Sequence, residues 1–106
     1  MFTALVLFLL IILQKHNRYK KLALTDELTG LYNRAGFEAE MKKYIDSHAL
    51  DNCVQATIDI DDFKIINDLY GHPVGDEALK DLAKKLKLLF LAEEAIISRC
   101  GGDEFN

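Results

Sequence analysis

"DIDDFKIINDLYGHPVGD" (residues 59–76) and "SRCGGDEFN" (residues 98–106) decide how this chain folds. The first stretch opens at the end of "CVQATIDI" (residues 53–60). There Val54, Ala56, Ile58 and Ile60 share one face, while Cys53, Gln55, Thr57 and Asp59 share the other, the period-two pattern of a strand. Asp59 thus arrives at the carboxyl end of a strand, where open α/β sheets bind ligands. In the second stretch, "AIISRC" (residues 95–100) reads as another short strand. Gly101 and Gly102 form the turn after it, so Asp103 and Glu104 also stand at a strand end.

Working outward, Phe37, Met41, Tyr44 and Ile45 recur at helical spacing. That helix should end near residues 46–52, where Asp51 and Asn52 supply a turn. Before it, "LALTDELTGLYNR" (residues 22–34) reads as a shaped connector, because Gly30 and Asn33 interrupt any continuous helix. Residues 62–70 form a short helix that "GHPVG" (71–75) breaks. A long amphipathic helix follows over 75–91, with Leu79, Leu82, Leu86 and Leu89 as its core stripe. The order helix, strand, helix, helix, strand predicts an α/β domain with a central sheet and flanking helices.

At 106 residues the chain holds one small domain. All seventeen acidic residues lie from Asp26 onward, against nine basic ones after residue 21. That balance argues against a nucleic-acid backbone binder, and a phosphorylated ligand would need cations beside it. Cys53 and Cys100 have no metal-ligand spacing with each other or with His16, His48 and His72. They read as buried thiols of a reducing compartment. "MFTALVLFLLIIL" (residues 1–13) is apolar apart from Thr3, but reaches ~20 Å as a helix against a ~30 Å hydrocarbon core. It lacks the basic start and small-residue cleavage site of a secretory signal. The expectation is a membrane-type helix, the last half of a longer span, whose basic end "QKHNRYKK" (residues 14–21) faces the cytoplasm. Residues 1–21 are thereby set apart from a domain over 22–106.

The acidic stretch fails as a calcium loop: counted from Asp59, the positions that need Asp or Asn, Gly and Glu hold Phe63, Lys64 and Tyr70. No G-x-x-x-x-G-K phosphate loop occurs. Two carboxylate sources at strand ends remain, Asp59 on one and Asp103 with Glu104 on the other. If the strands are neighbours, these carboxylates converge and suit Mg²⁺ and phosphoryl-transfer chemistry. Gly101 and Gly102 would let a nucleotide approach the backbone. An unrelated Mg²⁺-dependent phosphohydrolase stays open on this evidence.

"DELTGLYNRAGF" (26–37), "DIDDFKIINDLYGHPVGDEAL" (59–79) and "RCGGDEF" (99–105), in this order and at these separations, resemble the GGDEF family of diguanylate cyclases. The resemblance runs from Leu22 to Phe105. It implies a nucleotidyl-cyclase-like, palm-type fold that condenses two GTP into cyclic di-GMP. It further implies two Mg²⁺ per site, held by Asp59, Asp103 and the carbonyl of Ile60. Glu104 matches the acid that helps bind metal or activate the attacking 3′-hydroxyl. Asn67 and Asp76 match the guanine contacts, Phe63 and Leu79 the apolar surroundings of the base, and Lys64 and Arg99 basic positions near the nucleotide. A homodimer is implied, since each 3′-hydroxyl attacks the GTP of a facing subunit, with the GGDEF part in the bacterial cytoplasm beneath the inner membrane.

Plainer readings make Asn67 a turn residue, Asp76 a helix N-cap and His72 a loop stabiliser. Ala92 and Ala95 stand where many members carry an inhibitory Arg-x-x-Asp. Because the family domain continues past its signature, the expectation is an incomplete domain. In it the partner of residues 95–100 is missing, its backbone groups are left unpaired, and the chain is inactive as it stands. A non-catalytic remnant that binds GTP and Mg²⁺, or pairs with another such domain, is the alternative.

Overall fold

A computed structural model describes residues 1–47 and 53–106. The turn expected at Asp51 and Asn52 lies outside them. The apolar N-terminal run and the basic stretch after it form one helix, α1 (Phe2–Leu24). No helix among the described residues is long and apolar enough to cross a membrane, so the membrane-type helix is not supported. The reason is visible in α1 itself: its apolar half gives way to Lys15, Arg18, Lys20 and Lys21. The helix stops at Thr25, which turns extended (φ −121°, ψ 151°) while its N–H and Oγ1 both donate to the carbonyl of Lys21 (3.0 and 2.6 Å).

Residues 25–33 form the shaped connector. Asn33 ends it as the N-cap of α2 (Arg34–Ser47), accepting at Oδ1 from the Gly36 N–H (2.9 Å) and donating through Nδ2 to the Ala23 carbonyl (2.9 Å). One side chain thereby ties the end of α1 to the start of α2. Phe37, Met41 and Tyr44 are half-buried along α2, whereas Ile45 is exposed.

The strand expected over 53–60 shrinks to β1 (Ile58–Asp59), and Val54 is 95% exposed. A strand exists where it has a ladder partner. Here the partner is β2 (Glu104–Phe105), antiparallel, with Ile58 opposite Phe105 and Asp59 opposite Glu104. Thr57 Oγ1 still reaches Asn106 Oδ1 (2.9 Å). "AIISRC" likewise reduces to two bridges, Ser98 parallel to Tyr32 and Arg99 antiparallel to Phe105. Its hairpin partner, expected to be missing, is the signature's own tail. Ser98 and Asn106 exchange two backbone bonds (2.8 and 3.0 Å), and the Cys100 N–H donates to the Glu104 carbonyl (3.1 Å). The central sheet is therefore two-stranded, widened by bridges, in a helix-rich domain.

The two later helices are α3 (Phe63–Tyr70) and α4 (His72–Leu89). The break between them is Gly71 alone, at φ 88° and ψ 159°, a backbone that glycine reaches without a steric penalty. Pro73 does not interrupt α4, because it sits in the first turn where its missing N–H has no helical partner to lose.

Leu31, Leu79, Ala83, Leu86 and Phe105 form the core, with Leu28, Ile58, Ile60, Phe63, Leu82 and Ile97 packed against it. Leu89, expected in the core stripe, is 72% exposed, one turn beyond the layer that Phe105 closes. Cys53 is exposed and Cys100 half-buried, so neither is a fully buried thiol; Cys53 lies on the unpaired part of its run.

Phe105→Ala should cost about 3–5 kcal/mol, the usual loss for a buried phenyl ring, while Leu89→Ala should stay within about 0.5 kcal/mol. Urea midpoints of the two variants test this. Equal losses would restore Leu89 to the core.

Candidate active site

In β2, Phe105 turns inward, with no exposed surface at all, so its neighbour Glu104 must face outward. Asp59, directly opposite Glu104, shares that outer face. Asp103 joins them from the turn, its carbonyl accepting from the Ile60 N–H (3.4 Å). Asp59 is exposed, yet a hydrogen bond with the Asp103 carboxyl, then local desolvation, then the charges of Asp103 and Glu104 raise it above its ordinary carboxyl value, against the opposing Ile60 N–H. Two acids this close resist losing both protons.

The donor set fits Mg²⁺. Every candidate ligand is oxygen, and a dication relieves the repulsion between two neighbouring carboxylates. Among the described residues no three His, Cys, Asp or Glu side chains gather around one point. Glu104 therefore does not complete a cage. Mg²⁺ needs none, since it takes one or two carboxylates and completes its shell with phosphate and water.

Arg99 holds the signature turn. Its Nε and Nη2 donate to the Gly102 carbonyl (3.0 and 2.8 Å), and its Nη1 donates to both oxygens of Asp26 (3.0 and 3.2 Å). The guanidinium expected near the nucleotide is thus occupied by the protein itself. Asp26 also accepts from the N–H and Oγ1 of Thr29 (2.9 and 2.7 Å). Burial pushes its carboxyl up, but the Thr29 bonds and Arg99 together outweigh that and leave it below its ordinary value.

Asn67 lies within α3 and Asp76 within α4, five residues into the helix. Neither plain reading survives: Asn67 is no turn residue and Asp76 no N-cap. Asp76 is exposed, whereas Asn67 Oδ1 is buried without a hydrogen-bond partner. Phe63 is half-buried, Lys64 is exposed in the first turn of α3, and His72 is exposed where α4 begins. Leu79, at 1% exposure, belongs to the core. A shallow concavity of about 440 Å³ lies beside the Arg99 clasp, lined by Asp26, Asn33, Arg34, Ala35, Arg99, Cys100 and Gly101. Asp59, Asn67 and Asp76 do not line it.

Comparison with known families gives one decisive match: the diguanylate cyclase GGDEF domain, over residues 23–106. The chain belongs to that family. Among its relatives, the probable diguanylate cyclase DgcC of Escherichia coli is 40% identical over 96 residues, which cover 88% of this chain and 26% of DgcC. The cyclic di-GMP phosphodiesterase PdeR of the same organism is 39% identical over 89 residues, 83% of this chain and 13% of PdeR. The coiled coil and GGDEF domain of DgcB from Caulobacter crescentus, solved in complex with c-di-GMP, superposes with a TM-score of 0.73 at 29% identity. That match covers 96% of this chain and 55% of that one. This GGDEF chain thus spans about a quarter of DgcC's length.

Asp26 is the residue that sequence reasoning missed in this GGDEF domain. Its spacing to Thr29 announces a side-chain turn, but its partner Arg99 is 73 residues away and has no local signal. A depressed carboxylate contributes stability that is whole above the unfolded value, 3.8, and is lost as pH falls through the folded one. Wild type and Asp26→Asn should therefore differ in urea stability by about 1.5–3 kcal/mol above about pH 5, with the gap closing under acid. A gap that ignores pH down to about 2 would mean the clasp is not ionic.

Proposed function

We propose that this chain carries one half of a diguanylate cyclase site, where two GTP molecules become cyclic di-GMP. The observation that carries the reading is the Asp59–Asp103 carboxyl pair beside the Gly101–Gly102 turn. In the reaction, the 3′-hydroxyl of one GTP bonds to the α-phosphorus of the other and pyrophosphate leaves. The reciprocal attack closes the ring and releases a second pyrophosphate. One domain holds one GTP, so two facing copies are needed, and a homodimer follows.

Asp59, Asp103 and the Ile60 carbonyl are the groups to hold Mg²⁺, which when bound neutralises the triphosphate and makes the 3′-hydroxyl easier to deprotonate. Glu104, exposed opposite Asp59, is assigned the proton of that hydroxyl. Asp76 offers a carboxylate to the two donors on guanine's edge, a pair adenine lacks, and Asn67 adds an amide beside it. Lys64 brings charge toward the phosphates. Arg99 acts through the turn it holds, setting the Gly102 carbonyl and the backbone beside it. GTP as substrate assigns the work to the cytoplasm.

Similarity to a protein named a phosphodiesterase supports a second reading, a domain that binds GTP without condensing it. Incubating the protein with GTP and Mg²⁺ and separating the products decides between them. Cyclic di-GMP from the wild type would set aside the expectation that the chain is inactive as it stands, and Asp59→Asn should then reduce it to background while the fold persists. Undiminished product from Asp59→Asn would sink the metal assignment; bound GTP with no product from the wild type would favour the binding module.

Ala92 and Ala95 are exposed and uncharged just beyond α4, at the positions of the family's inhibitory Arg and Asp. Added cyclic di-GMP should then slow turnover only by competing with GTP. Progress curves that flatten at low product, and recover when it is removed, would count against this.

A further inference from the structure

Gly75 lies buried in α4, where it faces α3. Glycine inside a helix is about 1 kcal/mol worse than alanine, and its backbone here has no left-handed φ that would call for it. The reason is space. A Cβ built at Gly75 would run into Asn67 Oδ1, and would stand 3.0 Å from Asn67 Cγ and 3.2 Å from Phe63 Cζ. The Asn67 amide therefore stands with its oxygen against the bare backbone of α4.

Its environment is unusual in a second way. Oδ1 is the one buried side-chain nitrogen or oxygen among the described residues with no hydrogen-bond partner. The nitrogen of the same amide does not share that burial, and the Asn67 side chain makes no hydrogen bond within the described protein. A buried acceptor left without a donor costs stability, and such atoms call for an explanation. Here the amide is held by shape alone: oxygen down against Gly75, N–H donors toward solvent.

We infer that Gly75 is a positioning residue, whose missing side chain locks the Asn67 amide with its donors outward, ready for an acceptor atom on a purine base. The inference rests on the GTP reading above and deepens it. Any side chain at 75 evicts the amide from this pose or wedges α4 away from α3. Phe63, the other neighbour of that missing Cβ, keeps the gap narrow from the side of the core.

The test is a cycle of four full chains, wild type, Gly75→Ala, Asn67→Ala and the double variant, each measured for Mg²⁺·GTP affinity and for thermal midpoint. Each single substitution should weaken GTP binding about tenfold, the worth of one good hydrogen bond, and the double should bind no worse than either. Thermal midpoints should behave differently. Gly75→Ala alone lowers the midpoint through the clash, and in the Asn67→Ala background the same alanine restores or raises it, because the colliding amide is gone. Stability recovering while affinity does not is the signature of positioning. Gly75→Ala that binds GTP as well as wild type overturns the inference, and so does one that loses the same factor again on top of Asn67→Ala. If Asn67→Ala leaves GTP binding untouched, or the wild type takes up no GTP, the nucleotide reading itself has failed and this inference falls with it.

Discussion

Burial of Phe105 is the constraint on which the site depends. A side chain with no exposed surface on a two-residue strand fixes the facing of that strand, because alternation leaves the neighbouring residue one choice. Glu104 is thrown outward, and the Ile58–Phe105 register brings Asp59 to the same outer face. The core and the carboxylate pair are therefore two sides of one pairing. A slip of one residue would bury Glu104 and expose Phe105 together, so the hydrophobic gain of the ring enforces the geometry of the acids.

The turn between the hairpin arms is held from behind rather than by its own sequence. Arg99 spans the Gly102 carbonyl and the Asp26 carboxylate, and Asp26 is itself fixed by Thr29. One ion pair thus connects the connector after α1, the signature turn and the sheet. Its two side chains are mostly shielded, at 17% and 19% exposure, so solvent screens the pair less than it would a surface bridge. On the outer face the electrostatics run the other way: Asp59 and Asp103 share a hydrogen bond, with Glu104 adding to the negative field. A triphosphate brought there without cations meets repulsion. The domain's acidity and its proposed dependence on Mg²⁺ are thus one fact.

How much of this was legible beforehand follows from the range of each interaction. The α3 and α4 helices, the connector and the neighbouring placement of Asp59 and Asp103 could be read, because they rest on local periodicity, turn chemistry and one linked set of motifs. Strand lengths could not. Residues 53–57 alternate as well as any strand, yet they lack a ladder partner among the described residues, and alternation says nothing about where pairing stops. Leu89 fits the heptad stripe as well as Leu86 but overshoots the layer it should pack on. "GHPVG" was legible as a break, but the break is Gly71 alone, and Pro73 in the first turn of α4 is harmless. The Arg99 clasp was invisible because both partners carry ordinary surface residue types. The apolar run of α1 was legible as apolar but not as half of a longer charged helix.

Gly101 and Gly102 pose the question that the fold alone leaves open. Gly71 is explained by its φ of 88°, and Gly75 by the side chains that crowd it. Neither explanation reaches the signature pair. Neither of the two has a positive φ. A Cβ at Gly101 would make an ordinary 3.6 Å contact with Glu104 Cβ, and one at Gly102 would meet no described atom within 4 Å. No described atom bars alanine at either position, so the packing around the turn gives no reason for the pair. In the proposed function, a phosphate carried on a metal ion would use that clearance to bring its oxygens to the backbone beside Asp103. A pair that the fold does not require thus suits the phosphate ligand of the proposed function.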